Sequence, residues 1–444
     1  MTSFLQRFLN VRRDEVAPLL VSAFYFCCIL TAIGVMRPAR DAIGMRGGLD
    51  AIRWLFIGTA VITLAVNPMF GWLVSKFRRM VFIAVTYLVF AASLAAFFLL
   101  IEMAPGAVGD VSGRVFYVWY SVFNLFATMV FWALMADRFT LEQSKRLFGA
   151  IAVGGTIGAI VGPWLASTLA RPLGAPALLL VSAAFLCLAV VAAWLVTRLQ
   201  PETRTNGSQA SPSLDHVVIG GSAWQGIRRV LESRYLSTIS LYVLLLTVFA
   251  TFIYFTRLQM VAALGQDTDM RATVLAQIDL ITQISTLLVQ LVVTGHLMKR
   301  FGVSVALMLL PVVAALGFVG LAMATSFAVL VVFDAFFRAI QRAITRPARE
   351  TLFTVVSRED KYKSKAVTDT FVYRGGDLLG AWTEGWLGQL GLGLVGLVSA
   401  AVPLAAVWAV LGLWLGRQQE SMLAADSTPA PADAPARPLT SPVA

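Results

Sequence analysis

Twelve long apolar stretches limit what this chain can fold into more than any other feature of its 444 residues. A helix needs about 20 consecutive apolar residues to cross the hydrocarbon core of a bilayer. Inside lipid, every backbone N–H and C=O group must be hydrogen-bonded within the protein, which leaves helices and closed barrels as the spanning structures. Because 58% of the residues are hydrophobic, lipid is the expected solvent for most of the fold. The sequence therefore predicts an all-α membrane protein.

Six of the apolar stretches precede a polar segment and six follow it. In the first half the predicted spans are 16–36, 54–74, 80–101, 116–134, 148–169 and 176–196. In the second half they are 235–255, 273–297, 303–323, 327–344, 365–389 and 392–415. We therefore expect twelve transmembrane helices in two pseudo-symmetric six-helix bundles, 16–197 and 235–416.

Three polar segments flank these bundles. We expect a cytoplasmic amphipathic segment at 1–15, a cytoplasmic linker at 198–234 and a disordered cytoplasmic tail at 417–444. Within the linker, apolar and charged residues alternate with helical spacing over 224–234, which predicts a short surface helix.

The distribution of charge predicts the orientation of the chain. Most of the 35 Lys and Arg residues adjoin the span ends on the side where the chain begins. The positive-inside rule places that side in the cytoplasm, so we expect a multi-pass protein of the cytoplasmic (inner) membrane with both termini cytoplasmic. This orientation accounts for the net charge of +11. The bilayer is the expected partner, a nucleic acid polymer is not, and the sequence makes no prediction of the oligomeric state.

Residues that support covalent chemistry or metal binding are scarce. Cys27, Cys28 and Cys187 all fall inside predicted spans, which argues against a disulfide framework and a thiolate metal site. The sequence also has no Gly-Lys-Ser/Thr loop of the kind that binds nucleotide phosphates for hydrolysis. We therefore expect no catalytic residue, no metal and no cofactor.

A short motif recurs at the same position in each half. Its residues are Gly71, Lys76 and Arg78 after the second span, and Gly295, Lys299 and Arg300 after the eighth. These turns resemble the cytosolic loop motif of the major facilitator superfamily, and the resemblance implies a role in gating. The first copy has Ser75 where the family usually has an acidic residue. Ordinary positive-inside charge is the alternative interpretation.

The fifth span is rich in glycine. Gly158, Gly162 and Pro163 resemble part of the antiporter motif of major facilitator exchangers, which implies an exchange role. The alternative is a tight helix contact through Gly154, Gly158 and Gly162. The pair at 154–155 recurs as 375–376 in the eleventh span, as expected of repeated halves.

Charged side chains inside the spans indicate a polar interior. Each costs about 2.5 to 3.5 kcal/mol at the bilayer centre, so it should face a cavity or a partner. Guanidinium and ammonium groups bind phosphate and carboxylate oxygens. The predicted substrate-binding residues are Arg37, Arg40, Asp41, Lys365, Asp369 and Arg374. Proton coupling or structural charge pairing is predicted for Asp279, Asp334, Arg338, Asp377 and Glu384.

The eleventh span carries five of these charges. On an ideal helix Arg374, Asp377 and Glu384 share one face, which predicts an ion pair within the span. Lys365 and Asp369 lie on the opposite face unless the neighbouring glycines distort the helix axis.

Elsewhere the spacing predicts both paired and unpaired charges. Asp334 and Arg338 lie one turn apart, as expected for a self-neutralising pair. Arg37, Arg40 and Arg257 look unpaired and lie near the non-cytoplasmic ends of their spans, where few basic residues are expected. An anionic ligand would explain them, and the alternatives are contact with lipid headgroups or pairing with the neighbouring aspartate.

Longer runs of sequence narrow the resemblance. The runs 131–132, 137–155, 345–350, 357–362 and 365–377 resemble bacterial relatives of the ATP/ADP translocase, or nucleotide exchange transporter, family. In that family a basic and an acidic residue follow the first span, which Arg40 and Asp41 match with Arg in place of the usual Lys. A later pattern matches Lys365, Ala366 and Asp369. The fourth and seventh spans lack the family's acidic residues, so strict ATP/ADP exchange is not expected.

These patterns predict a secondary transporter of the major facilitator type. It would move an anionic, nucleotide-like solute by alternating access of two repeated halves, driven by a counter-substrate or by protons. One alternative is proton-coupled efflux of an apolar drug or metabolite. Another is a membrane protein on the same scaffold that moves lipid or transports nothing.

Overall fold

The computed structural model describes residues 12–76, 79–104, 106–200 and 223–427, and these are helical almost throughout. A 3₁₀ turn, Arg13–Glu15, leads into the first half. That half consists of α1 (Val16–Gly44), α2 (Gly48–Lys76), α3 (Arg79–Met103), α4 (Ala107–Arg138), α5 (Leu141–Leu173) and α6 (Leu178–Leu199).

A short helix, α7 (Ala223–Glu232), precedes the second half, where several helices are interrupted. The helices there are α8 (Arg234–Ala263), α9 (Thr268–Val289), α10 (Gly295–Met323), α11 (Phe327–Ile340), α12 (Arg346–Thr351), α13 (Arg358–Val367), α14 (Tyr373–Gln389) and α15 (Gly393–Ser427). π-helical turns at Gln290–Thr294, Gln341–Thr345 and Thr368–Val372 extend α9 and join α11 to α12 and α13 to α14. The tenth and eleventh spans are therefore each built from two helices around a π turn.

The twelve predicted spans match this architecture. Within the described ranges, nine stretches are long and apolar enough to cross a membrane, and one of them, Val16–Val66, runs through both α1 and α2. The tenth and eleventh spans are not among them because they contain the charged residues predicted to line the interior. Buried apolar side chains form two large clusters, one centred on α1–α6 and one in the second half. The all-α, twelve-helix fold class is thus confirmed.

The predicted flanking segments are described only in part. Residues 1–11, 201–222 and 428–444 lie outside the described residues. The surface helix predicted at 224–234 is α7, and its Arg229 approaches Asp360 to 3.5 Å. At the other end, α15 continues to Ser427, past the predicted start of the tail at 417. The buried side chain of Gln419 holds this extension by donating a hydrogen bond of 2.7 Å to the Thr351 carbonyl.

Glycines bring α1 and α5 into backbone contact. A Cβ at Gly154 would lie 2.1 Å from the Ala23 carbonyl oxygen, and one at Gly158 would lie 2.2 Å from that of Cys27. In the second half, Gly376 of α14 approaches α8 just as closely, since a Cβ there would lie 1.8 Å from the Thr247 hydroxyl. The first span thus packs closely on the fifth, and the seventh on the eleventh, through members of the repeated glycine pairs.

A buried carboxylate fixes the start of α1 to α5. Glu15 accepts hydrogen bonds from Arg146 at 2.8 Å and from Gln143 at 3.2 Å, and from the backbone N–H of Arg12 at 3.0 Å. Burial opposes the charged form of Glu15, but these donors outweigh it and hold the pKa below its usual value. The stabilisation is present above the pKa of the unfolded chain and is lost as the pH falls through the lowered folded-state pKa.

Substitution of Gly158 by alanine should destabilise the fold because the new Cβ would overlap the Cys27 carbonyl. Overpacking of this kind costs about 1 to 3 kcal/mol, so we expect a clearly lower thermal unfolding midpoint for the purified protein in detergent. Gly149→Ala is the matched control, since a Cβ at Gly149 would meet nothing within 4 Å. Equal midpoints for the two variants would contradict the close helix contact.

Candidate functional site

A pair of adjacent charges begins a network near the end of α1. Arg40 binds Asp41 through two nitrogens, at 2.9 and 2.5 Å, and its guanidinium lies 4.6 Å from the centre of the Tyr117 ring. Asp41 also accepts a hydrogen bond of 2.9 Å from Tyr254 of α8 and lies 3.9 Å from Arg257. Arg40, which looked unpaired from the sequence, therefore pairs with its neighbour, which was the alternative interpretation.

The network continues through three helices of the second half. Arg257 of α8 contacts Asp334 of α11 at 3.1 Å. Arg338, one turn beyond Asp334, contacts it at 2.6 Å and contacts Asp279 of α9 at 2.5 Å. The prediction that Arg257 is unpaired is wrong, because α11 and α9 bring carboxylates to it. The predicted pair of Asp334 and Arg338 does form, but as part of a larger cluster.

A second network connects the halves through Glu384. Its carboxylate accepts hydrogen bonds from Arg53 of α2 at 2.6 Å and from Gln259. Arg53 also contacts Asp50 one turn away, but the Asp50 side chain is 80% exposed whereas that of Glu384 is 5% exposed. Glu384, which an ideal helix places on one face with Arg374 and Asp377, therefore takes its cationic partner from α2 instead of from its own span. Sequence reasoning misses Arg53 because this residue directly precedes the predicted second span, 54–74.

These contacts close one end of the bundle. We call the end where α1 finishes the outer end, and the end where α1 begins the inner end. At the outer end, Arg46 donates a hydrogen bond of 3.1 Å to Thr268, and the Ala175 N–H donates one of 2.7 Å to Asp269. The Tyr117 and Tyr254 hydroxyls lie 2.9 Å apart. Each contact joins one half to the other.

A cavity of about 650 Å³ lies between the halves, nearer the inner end. Its lining is rich in charge and comes mostly from the tenth and eleventh spans. The lining residues are Asn124, Leu125, Leu246, Gln341, Arg342, Thr345, Arg346, Arg349, Glu350, Lys365, Asp369, Tyr373 and Arg374. Five of these are basic and two are acidic, so the cavity carries a surplus of positive charge. We call it the basic chamber.

Ion pairs neutralise only part of the basic chamber. Lys365 contacts Glu350 at 2.5 Å, and Arg349 contacts Glu350 at 3.5 Å and Asp369 at 3.4 Å. The two carboxylates, Glu350 and Asp369, are thus shared between two cations, and both remain partly exposed. Arg346 is exposed in the chamber.

Two smaller cavities adjoin the basic chamber. One, of about 270 Å³, shares Tyr373 and Arg374 with it and is also lined by Phe56, Tyr117 and Tyr254. Arg374 pairs there with Asp377 at 3.3 Å, as predicted. The other, of about 180 Å³, contains Arg37 and shares Gln341 with the chamber.

The π turns explain why more of the charges converge than the sequence predicts. A π turn holds one extra residue and so rotates the helix that follows it. Asp369 lies in such a turn, and consequently Lys365, Asp369 and Arg374 all line the same chamber. The prediction that Lys365 and Asp369 lie on the helix face opposite Arg374 is wrong for this reason. The distortion lies at Thr368–Val372, before the glycine pair rather than at it.

None of the motif residues whose side chains the structure describes lines the basic chamber. Gly158, Gly162 and the adjoining Pro163 pack against α1, where a Cβ at Gly162 would lie 2.8 Å from the Gly34 Cα. Arg300 is exposed beside the Phe301 ring. The backbones of Gly71 and Lys76 belong to α2 and those of Gly295 and Lys299 to α10, and Arg78 lies outside the described residues.

Comparison with known proteins identifies relatives of the fold. A family model described as Major Facilitator Superfamily matches residues 19–337, whereas no curated protein matches the chain. Solved structures of similar fold include the peptide transporter PepTSo of the POT family, with a TM-score of 0.63 and 12% identity, covering 91% of this chain and 98% of that one. A mutant of the nucleoside transporter NupG has a TM-score of 0.61 and 14% identity, covering 91% of this chain and 99% of that one. An inward-facing bacterial homologue of the iron transporter ferroportin has a TM-score of 0.60 and 14% identity, covering 92% of this chain and 99% of that one.

We expect Glu384→Gln to loosen the outer end, because it removes the buried partner of Arg53. Breaking a buried ion pair from one side typically costs about 3 to 5 kcal/mol. Spin labels placed by Arg46→Cys and Thr268→Cys, in a background without the three native cysteines, should report a longer distance component. Asp50→Asn is the control, since it removes the exposed partner of the same arginine and exposed pairs contribute little. The same distances in all three proteins would rule out this ion pair as a restraint on the outer end.

Proposed function

Because the chain belongs to the Major Facilitator Superfamily of membrane transporters, we propose that it is a secondary transporter for an anionic solute. One observation carries the proposal: the basic chamber, the largest of the three cavities that meet between the halves, is lined by five basic and two acidic side chains. Because unpaired charge within a membrane is costly, a surplus of cations there is best explained by a negatively charged ligand.

The types of side chain favour oxygen-rich anions. A guanidinium group presents parallel N–H donors that match two oxygens of a phosphate or carboxylate, whereas an ammonium group binds as a point charge. The chamber contains Arg342, Arg346, Arg349 and Arg374 together with Lys365. Phosphorylated solutes, with nucleotides as the first to test, are the proposed class, in keeping with the sequence resemblance to nucleotide exchange transporters. The proposed contacts are made by the chamber residues and by Arg37 and Arg40.

The arrangement of contacts supports alternating access. Ion pairs and hydrogen bonds join the halves at the outer end, while the basic chamber lies nearer the inner end. Rocking of the two six-helix halves, 16–197 and 235–416, about this chamber would expose it to each side in turn. We propose that the inner end faces the cytoplasm in the cytoplasmic membrane, since that is the side with most of the basic residues.

Exchange for a second anion is the proposed source of energy. Asp279 is held by Arg338 at 2.5 Å and Arg257 at 3.9 Å, so it serves as a structural charge in this network. The side chain of Asp369 is 38% exposed and contacts Arg349 at 3.4 Å. It is therefore the better position for a proton-coupled alternative.

Labelled ATP, ADP and inorganic phosphate should enter proteoliposomes of the purified protein faster when unlabelled nucleotide or phosphate is present inside. Lys365→Gln and Arg374→Gln should each lower this uptake at least tenfold, because both remove positive charge from the chamber lining. Arg228→Gln is the matched control, since Arg228 is 80% exposed and pairs with Glu232 on the surface helix α7. Initial rates with and without internal substrate provide the measurement.

Two outcomes would count against anion transport. Uptake that is insensitive to both chamber substitutions would mean that the chamber does not bind the solute. Proton-driven export of an apolar compound that also tolerates those substitutions would favour the efflux alternative instead.

A further inference from the structure

Two side-chain contacts, one helical turn apart, connect α9 to the tenth span, and we call them the first and second rungs. In the first rung Arg338 contacts the carboxylate of Asp279 at 2.5 Å. One helical turn further along both segments, Arg342 donates a hydrogen bond to the amide oxygen of Gln283. The geometry of the second rung repeats that of the first, but a neutral amide replaces the carboxylate.

Arg342 is therefore held in place without being neutralised. Among the described residues it forms no ion pair within 4 Å, and it donates its hydrogen bond to Gln283. Arg37 of α1 likewise forms no ion pair within 4 Å in the described part of the chain.

The wider network contains more arginine than aspartate. Its basic members are Arg37, Arg40, Arg257, Arg338 and Arg342, and its acidic members are Asp41, Asp279 and Asp334. Arg37 and Arg342 are the two members that have no carboxylate within 4 Å among the described residues. Because a charge without a counter-charge is costly inside the bilayer, a ligand with two negative charges would stabilise this part of the molecule.

The two surplus arginines come from opposite halves and meet where the cavities adjoin. Arg342 lines the basic chamber and Arg37 lines the 180 Å³ cavity, while Gln341 lines both. Arg342 also belongs to the π turn Gln341–Thr345, a distortion that recurs at functional sites because it redirects side chains.

We propose that Arg37 and Arg342 together bind a doubly charged oxyanion group, such as the phosphate of a phosphorylated solute. Gln283 is the positioning residue that fixes Arg342 and leaves its charge available to the ligand. This inference rests on the proposed anion transport and narrows it to a solute with a dianionic group. A group bound there would bridge the two halves at the centre of the molecule.

The inference can be tested by binding to the full-length protein in detergent. Inorganic phosphate and sulfate are titrated at millimolar concentrations and constant ionic strength, with chloride as the balancing anion, and the thermal unfolding midpoint is recorded. Phosphate and sulfate should raise the wild-type midpoint because a ligand that binds the folded state stabilises it. Both anions also stabilise proteins generally by exclusion from the surface, so the informative quantity is the difference between wild type and variants.

Gln283→Glu should supply the carboxylate that the second rung lacks. We expect a higher midpoint without phosphate, since Arg342 becomes paired, and an apparent phosphate affinity reduced at least tenfold. A variant that merely misfolds would have a lower midpoint instead. Arg342→Gln should also lose the phosphate response, whereas Arg228→Gln should respond as the wild type does.

An undiminished phosphate response in both Gln283→Glu and Arg342→Gln would overturn the proposed site. So would an absent wild-type response, or one that chloride reproduces at equal ionic strength. Failure of the transport proposal can be distinguished from failure of the proposed binding site. If no tested solute crossed the membrane but the phosphate response was lost in Gln283→Glu, the binding site would stand without the transport assignment.

Discussion

The cost of placing charge in hydrocarbon is the constraint on which the rest of this structure depends. In the outer half of the interior, protein partners neutralise the buried charges: Asp41, Asp279 and Asp334 each contact at least one arginine. The basic chamber satisfies this constraint only in part, because its lining holds five cations and two carboxylates, and those carboxylates contact only Arg349 and Lys365 among the described cations. The tenth span reaches from the outer half of the interior to the basic chamber. Its Arg338 is paired with a carboxylate, whereas its Arg342 is paired with an amide.

The backbone is adapted to the same constraint. An uninterrupted helix would point the charges of the eleventh span in several directions. The π turn at Thr368–Val372 instead brings Lys365, Asp369 and Arg374 to one chamber. Glycines perform a complementary task by letting α1 approach α5 and α8 approach α14 at backbone distance.

Much of the fold could be predicted from the sequence because its main signals are local. An apolar run of spanning length identifies a helix whatever surrounds it, and the repeated glycine pairs at 154–155 and 375–376 indicated equivalent helix contacts in each half. Candidate charges inside the spans could be recognised for the same reason. Their partners could not, because spacing along one helix does not show which other helix faces it. Glu384 was expected beside Arg374 but pairs with Arg53 of the other half. The π turns were also missed, because their sequences carry no distinctive residue type.

The ion pairs can be sorted by whether they join the two halves. Arg53 with Glu384 and Asp41 with Arg257 cross between halves, so they must break if the outer end opens. Arg338 with Asp334 and Lys365 with Glu350 lie within the second half, and rigid-body rocking would leave them intact. A ligand shifts a conformational equilibrium only through contacts that differ between the states. The crossing pairs therefore set the cost of opening the outer end, whereas the pairs within the second half preserve the chamber during the movement. A ligand held by Arg37 and Arg342 would act like the crossing pairs, since its two partners lie on opposite halves.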